Sequence, residues 1–231
     1  MPIRHQEQSL ICSLDDEPYS QPANQPAVAE LVGLSIEAAS EALKIDLSDL
    51  SPRIPEGPKY SEVWPGEHYK LIAALVSILQ PKTVIEIGTG SGLSALSLLK
   101  FLPRDGKLVT FDKEEWWKVN GTVLRQEDFS DSRFHFSNDD LTDPLLVGVY
   151  AGVLSKADLI FIDAAKDVKT EVAILKNLET IPFEKPPLII FDDIRMMNMI
   201  SIWRQLPYPK LDITSFGHWS GTGLVRFTSK L

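Results

Sequence analysis

Residues 83 to 94, Thr-Val-Ile-Glu-Ile-Gly-Thr-Gly-Ser-Gly-Leu-Ser, constrain the fold of this chain more than any other stretch. The first half is a short β-branched run, the pattern of a strand buried on both faces of a parallel sheet. The second half sets Gly88, Gly90 and Gly92 at alternate positions, ahead of an apolar helical pattern over residues 93 to 102. A strand, a tight glycine turn and a helix are therefore predicted. Glycine permits positive φ and lets a ligand lie against bare backbone, and the helix start offers unpaired N–H groups. A nucleotide-like ligand is expected at this turn; a generic turn that binds nothing is the alternative.

The spacing bears on which nucleotide. The dinucleotide fingerprint is G-x-G-x-x-G, whereas the third glycine here comes one residue early, and Glu86 stands on the strand before the first. A pyrophosphate is a poor neighbour for that carboxylate. S-adenosylmethionine carries no phosphate, and its sulfonium and ammonium groups are positive. Asp112 ends the next apolar run, residues 107 to 111, where a carboxylate can take both ribose hydroxyls. Through Val84-Ile-Glu-Ile-Gly-Thr-Gly-Ser-Gly and Leu108-Val-Thr-Phe-Asp112 the sequence resembles the class I S-adenosylmethionine-dependent methyltransferases. The resemblance implies an α/β, Rossmann-like fold: seven mostly parallel strands in the order 3-2-1-4-5-7-6, the last antiparallel, with helices on both faces. It also implies a cofactor-binding set of Glu86, Gly88, Thr89, Gly90, Ser94, Asp112, Asp139, Asp140 and Asp163, with Asp139 and Asp140 as candidates for the adenine amino group.

In chain order, 231 residues with 44% hydrophobic content suit one α/β domain with an extension. The formal charge of −9 disfavours nucleic acid or an anionic membrane as partner, and a small hydroxylated substrate is expected instead. One cysteine, Cys12, leaves no internal disulfide and no cysteine-rich metal site, and nothing reads as a signal peptide or a span, so a cytoplasmic protein is expected. Residues 1 to 60 read as an arm, polar and proline-punctuated to residue 27, and an accessory helix over 27 to 43 outside the core fold. An arm of this kind suits packing on a partner subunit, so a homodimer is expected. Residues 61 to 231 form the cofactor-binding domain. Within it a helix over 69 to 79 follows Gly66, Glu67 and His68, and His68 is either a base, a residue facing the cofactor or a surface residue. Another helix is predicted over 114 to 127, with Trp116 and Trp117 beside the adenine or filling space.

A second constellation lies further on. The run Ala157-Asp-Leu-Ile-Phe-Ile reads as a buried strand ending at Asp163, with Lys166 three residues later. Pro187-Leu-Ile-Ile-Phe is another, ending in Asp192 and Asp193. Two strand ends thus bring three carboxylates to the sheet edge where open α/β folds bind ligands. Like charges that close are costly unless a cation joins them, and Mg²⁺ is the natural candidate. This narrows the resemblance to the cation-dependent catechol and caffeoyl-coenzyme A O-methyltransferases, whose pattern falls on Asp163, Lys166, Asp192 and Asp193. Asp193 stands where that pattern has Asn; a salt bridge to Arg195 is its alternative partner. The resemblance spans roughly residues 60 to 230, ending in a strand entered by Gly221-Thr-Gly-Leu. It implies metal ligands Asp163, Asp192 and Asp193, and catalytic roles for Asp163 and Lys166, the lysine taking a substrate proton if burial lowers its pKa.

The expected activity is transfer of a methyl group to a hydroxyl of a small molecule. A metal-independent methyltransferase using Lys166, His68 or His218 as base, and a non-catalytic cofactor-binding protein, remain open. Met196 onward begins a helix, and the segment Phe216-Gly-His-Trp219 is the candidate for contact with the acceptor.

Overall fold

The computed structural model describes residues 25–55 and 57–227. Most of the arm predicted over residues 1 to 27 lies outside them. The strands are β1 (Thr83–Ile87), β2 (Lys107–Phe111), β3 (Phe134–Ser137), β4 (Leu159–Ile162), β5 (Leu188–Asp192), β6 (Lys210–Asp212) and β7 (Thr222–Arg226). They form one seven-stranded sheet in the order β3-β2-β1-β4-β5-β7-β6. β1 runs parallel to β2 and β4, and β3 and β5 extend the sheet in the same sense. β7 alone reverses, pairing antiparallel with both β5 and β6. This is the order and the single reversal that the resemblance implied. The chain steps outward from β1 to β3 and then returns to lay β4 on the other side of β1. That reversal opens a crevice at the carboxyl ends of β1 and β4.

Among the described residues six helices cover the sheet: α1 (Gln25–Ala42), α2 (Tyr69–Leu79), α3 (Leu93–Phe101), α4 (Pro144–Leu154), α5 (Lys169–Leu178) and α6 (Met199–Gln205). Strand side chains alternate between faces. Val84, Leu108, Phe161 and Ile190 therefore pack with Leu31, Leu71, Leu75 and Leu98 from α1 to α3. Ile85, Val109, Ile160 and Ile189 pack with Val147, Ile174, Leu178 and Trp203 from α4 to α6. Full burial of such side chains stabilises by about 1.5–3 kcal/mol each, which is why continuous apolar runs, unlike alternating ones, end up inside a two-faced sheet.

Two readings are revised. The accessory helix shares the first core rather than standing outside it: Leu31, Ala38 and Ala42 are fully buried, and Glu30 pairs with Arg226 on β7. The helix predicted over residues 114 to 127 is absent; short 3₁₀ turns occupy Trp116–Lys118 and Gln126–Ser130. Gly121 at φ +77° breaks the run, and the β-branched Val119, Thr122 and Val123 around it favour extended backbone. Trp116 packs on Phe129 with centroids 5.1 Å apart, while Trp117 is exposed. No described helix is long and apolar enough to cross a membrane.

Candidate active site

The glycine turn that follows β1 opens onto a cavity of about 290 Å³. Gly88 adopts φ +100°, and a β-carbon on it would lie 1.9 Å from the carbonyl oxygen of Asp163, so only glycine lets β1 turn this close to β4. Gly90, at φ +50°, has nothing within 4 Å of its missing β-carbon and faces the open cavity. Ile87, Phe111, Leu141 and Ile174 give the cavity an apolar wall suited to a flat ring, and Asp112, Asp139, Asp140 and Asp163 give it an acidic one.

The acidic wall is held by local bonds. Asp112 accepts the Gly90 backbone N–H at 2.8 Å and that of Glu114 at 3.0 Å, which fixes the carboxylate across the mouth of the turn. Asp140 accepts from the Thr142 N–H at 2.9 Å and pairs with Lys113 at 3.0 Å. Asp139 accepts from Ser137 at 2.6 Å and from Tyr150. Hydrogen bonds from Ser137 and Tyr150 hold Asp139 below the ordinary carboxylate pKa; Asp140 is lowered too, bonds from Thr142 and the Lys113 charge outweighing its burial. Lys113 and Thr170 also line the cavity and were not singled out in the sequence, where nothing marks a surface lysine or a helix-start threonine.

Glu86, Thr89 and Ser94 do not line the cavity. They lie behind it, buried. Thr89 and Thr110 hydroxyls are 2.6 Å apart, and Thr110 donates to Glu86 at 2.5 Å. Burial pushes Glu86 up to about 8, against bonds from Ser94 and Thr110, and its Oε1 has no hydrogen-bond partner. Burial therefore favours the neutral form of the carboxyl that underpins the glycine turn.

Beside the cavity, the ends of β4 and β5 bring Asp163, Asp192 and Asp193 together, with one oxygen from each within 4.8 Å of the others. Asp193 sits at φ +59°, a left-handed conformation that Asp tolerates, and this turns its side chain back toward its neighbours. Lys166, at φ +60°, pairs with Asp163 and stands 3.2 Å from Asp193. Its backbone N–H donates to the fully buried Glu171 at 2.7 Å, which anchors the loop to α5. Arg195 pairs with Asp212 at 2.7 Å, which removes it as the partner of Asp193.

Two loops close over this cluster. The Trp64 indole donates to the Phe216 carbonyl at 2.8 Å, and the Gly66 N–H to the Gly217 carbonyl at 3.1 Å. Because β7 pairs Thr222 with Asp192, the second loop lands on the end of β5. His218 Nδ1 is consequently 3.2 Å from both Asp192 and Asp193, and Ser220 donates to Asp193. His68 Nδ1 lies 3.5 Å from Asp192 on the inner side.

Charges in the cluster are coupled. Burial and the Asp192 charge raise Asp163 despite Lys166. Asp193 falls well below the ordinary carboxylate range: burial opposes this, but His218, Ser220 and Lys166 prevail. Burial would lower His218, yet Asp192 and Asp193 push it up to about 10. Burial would lower Lys166 as well, but Asp163 and Asp193 outweigh it and its pKa is raised. The condition for Lys166 to take a proton is therefore not met in the free protein; it is a fixed cation.

Three solved structures share the fold. A provisional caffeoyl-CoA O-methyltransferase from Staphylococcus aureus aligns with a TM-score of 0.52 at 16% identity, over 87% of this chain and 99% of its own. The O-methyltransferase from Bacillus cereus in complex with SAH gives 0.50 at 18% identity, over 83% and 90%. The SAH-bound methyltransferase PaMTH1 from Podospora anserina gives 0.51 at 14%, over 84% and 88%. At these identities the likeness is one of fold. The profile described as O-methyltransferase matches residues 58–180, more than half of the chain, from the loop ahead of α2 through the glycine turn, the acidic wall, Asp163 and Lys166. The chain belongs to the O-methyltransferase family.

Proposed function

We propose that the protein transfers a methyl group from S-adenosylmethionine to a hydroxyl of a small molecule, with a divalent cation held by Asp163, Asp192 and Asp193. The observation that carries this reading is the position of Asp163, which belongs at once to the cavity beneath the glycine turn and to the carboxylate cluster. A donor in the cavity and an acceptor at the cluster would meet there, held at near-attack distance without a covalent intermediate. The apolar wall and the Asp112 carboxylate suit adenine and ribose, and two of the structures with this fold hold SAH.

The cluster fits a cation. Asp192 is 2% exposed and its Oδ1 has no hydrogen-bond partner in the protein, an arrangement that a bound cation would relieve. A bound divalent ion supplies positive charge that lowers the pKa of a nearby hydroxyl. Lys166, paired with Asp163 and Asp193, would stabilise or accept the departing proton, and while charged offers a second positive charge to the oxygen as it ionises. Trp219, next to His218 and largely exposed, is the candidate contact for an aromatic acceptor.

A metal-free reading has one observation in its favour: Lys166 faces Asp163 and Asp193 and His218 faces Asp192 and Asp193, so the two already meet all three carboxylates. Methyl transfer to caffeate, followed with and without EDTA and with Mg²⁺ or Mn²⁺ added back, separates the two. Loss with chelator and recovery with metal supports the cation; indifference leaves Lys166 and His218 as the neutralising charges.

A further inference from the structure

Two histidines without a part in the reaction above converge on one carboxylate. His68 is 2% exposed, and neither of its ring nitrogens has a hydrogen-bond partner. Its Nδ1 lies 3.5 Å from Asp192 Oδ1, which is likewise buried and unpartnered. On the far side of the same carboxylate, His218 Nδ1 lies 3.2 Å from Oδ2. One donor atom from each of His68, Asp192 and His218 lies within 4.8 Å of the other two. Buried polar atoms are rarely left unpaired, and His68 Nδ1 and Asp192 Oδ1 are both unpaired where they meet, beside a His218 Nδ1 whose partners are Asp192 and Ser220; the pair calls for a group that it is placed to meet.

The spacing suits an ion. Donors held about 2.0–2.2 Å from a metal stand roughly 3.0–3.4 Å from their neighbours in tetrahedral or octahedral geometry. The contacts here, 3.2 and 3.5 Å, are close to those edges. Glu67 lies on the side of the other nitrogen of His218, its carboxylate 3.7 Å away, an electrostatic neighbour of the ring rather than a hydrogen-bond partner. Mg²⁺ favours oxygen donors and gives up water reluctantly, whereas imidazole suits later first-row ions.

We propose that His68, Asp192 and His218 form an imidazole face of the cation site, so that the protein takes a later transition-metal ion such as Co²⁺ or Zn²⁺ in preference to Mg²⁺. This rests on the reading that the carboxylate cluster holds a cation, and specifies which. Asp192 is the ligand common to both faces, and Lys166, on Asp163 and Asp193, leaves it free for the histidines.

The test uses chelator-stripped, dialysed protein titrated calorimetrically with Mg²⁺ and with Co²⁺, with the visible absorption of the Co²⁺-loaded protein recorded in parallel. Co²⁺ is expected to bind at least about tenfold more tightly than Mg²⁺, with a spectrum of nitrogen-ligated Co²⁺. His68→Gln and His218→Gln are each expected to weaken Co²⁺ by at least about tenfold while leaving Mg²⁺ within about threefold. Since His68 is buried, His218→Gln provides the second, more accessible variant, and S-adenosylhomocysteine binding checks that both are folded. Equal affinity for the two ions, or unchanged Co²⁺ affinity in both variants, overturns the imidazole face while leaving a carboxylate site intact. Failure to bind any divalent ion overturns the cation reading with it, and leaves methyl transfer to be judged by donor binding.

Discussion

Gly88 passes so close to Asp163 that a β-carbon on the glycine would sit 1.9 Å from the aspartate carbonyl oxygen. The contact joins the glycine turn to the end of β4 that carries Asp163. Gly88→Ala is expected to destabilise the fold by at least about 1–3 kcal/mol, from strained φ and displaced backbone. Gly90→Ala, with open space around its β-carbon, should cost only about 1 kcal/mol and act chiefly on donor affinity. Urea denaturation of both variants, with S-adenosylhomocysteine titrations, checks the contrast; equal destabilisation would contradict it.

Glu86 gives stability a pH dependence of its own. Its folded pKa, about 8, lies above the ordinary 4.5, so the folded chain keeps a proton that the unfolded chain has released. The stability of this neutral form is fully present below about pH 4.5 and is lost as pH rises through about 8, on the order of a few kcal/mol. His218, raised from 6.5 to about 10, loses its contribution over a higher window. Glu86→Gln is expected to flatten the decline between pH 4.5 and 8 and to leave the upper window in place. Parallel wild-type and variant curves would rule out a neutral Glu86.

The proposed role of Lys166 as a charge rather than a base rests on its pKa in the free protein, which Asp163 and Asp193 raise against burial. Lys166→Met is expected to lower kcat by about 10²–10³-fold. Lys166→Arg keeps a charge without a comparable route to deprotonation, and should retain clearly more activity than the Met variant. Equal loss in both variants would favour proton transfer by the lysine.

Much of this arrangement is legible in the sequence because it is local. Glycines at alternate positions after a β-branched run give the turn, and apolar runs that end in Asp163 and Asp192 place carboxylates at one sheet edge. The strand Lys210–Asp212 escaped notice because three residues between a proline-marked loop and a turn carry no periodicity. His68 and His218 each stood out as candidates, but their meeting depends on backbone pairing between Gly66 and Gly217, which no local pattern encodes. The direction of the Lys166 shift was equally hidden, since it follows from how closely the lysine approaches Asp163 and, after it, Asp193. Glu86 was legible as an acidic residue on a strand, but not as one facing Thr110 behind the turn.

Asp192→Asn is the most direct test of the central claim that the cavity and the carboxylate cluster form one methyl-transfer site. Asp192 belongs to the cluster without lining the cavity, so donor binding and transfer separate in this variant. S-adenosylhomocysteine affinity should stay within about threefold of wild type, while methyl transfer to a catechol probe falls by at least about 10²-fold. Transfer that continues unchanged in Asp192→Asn, with the donor still bound, would contradict the assignment of the cluster as the reaction centre.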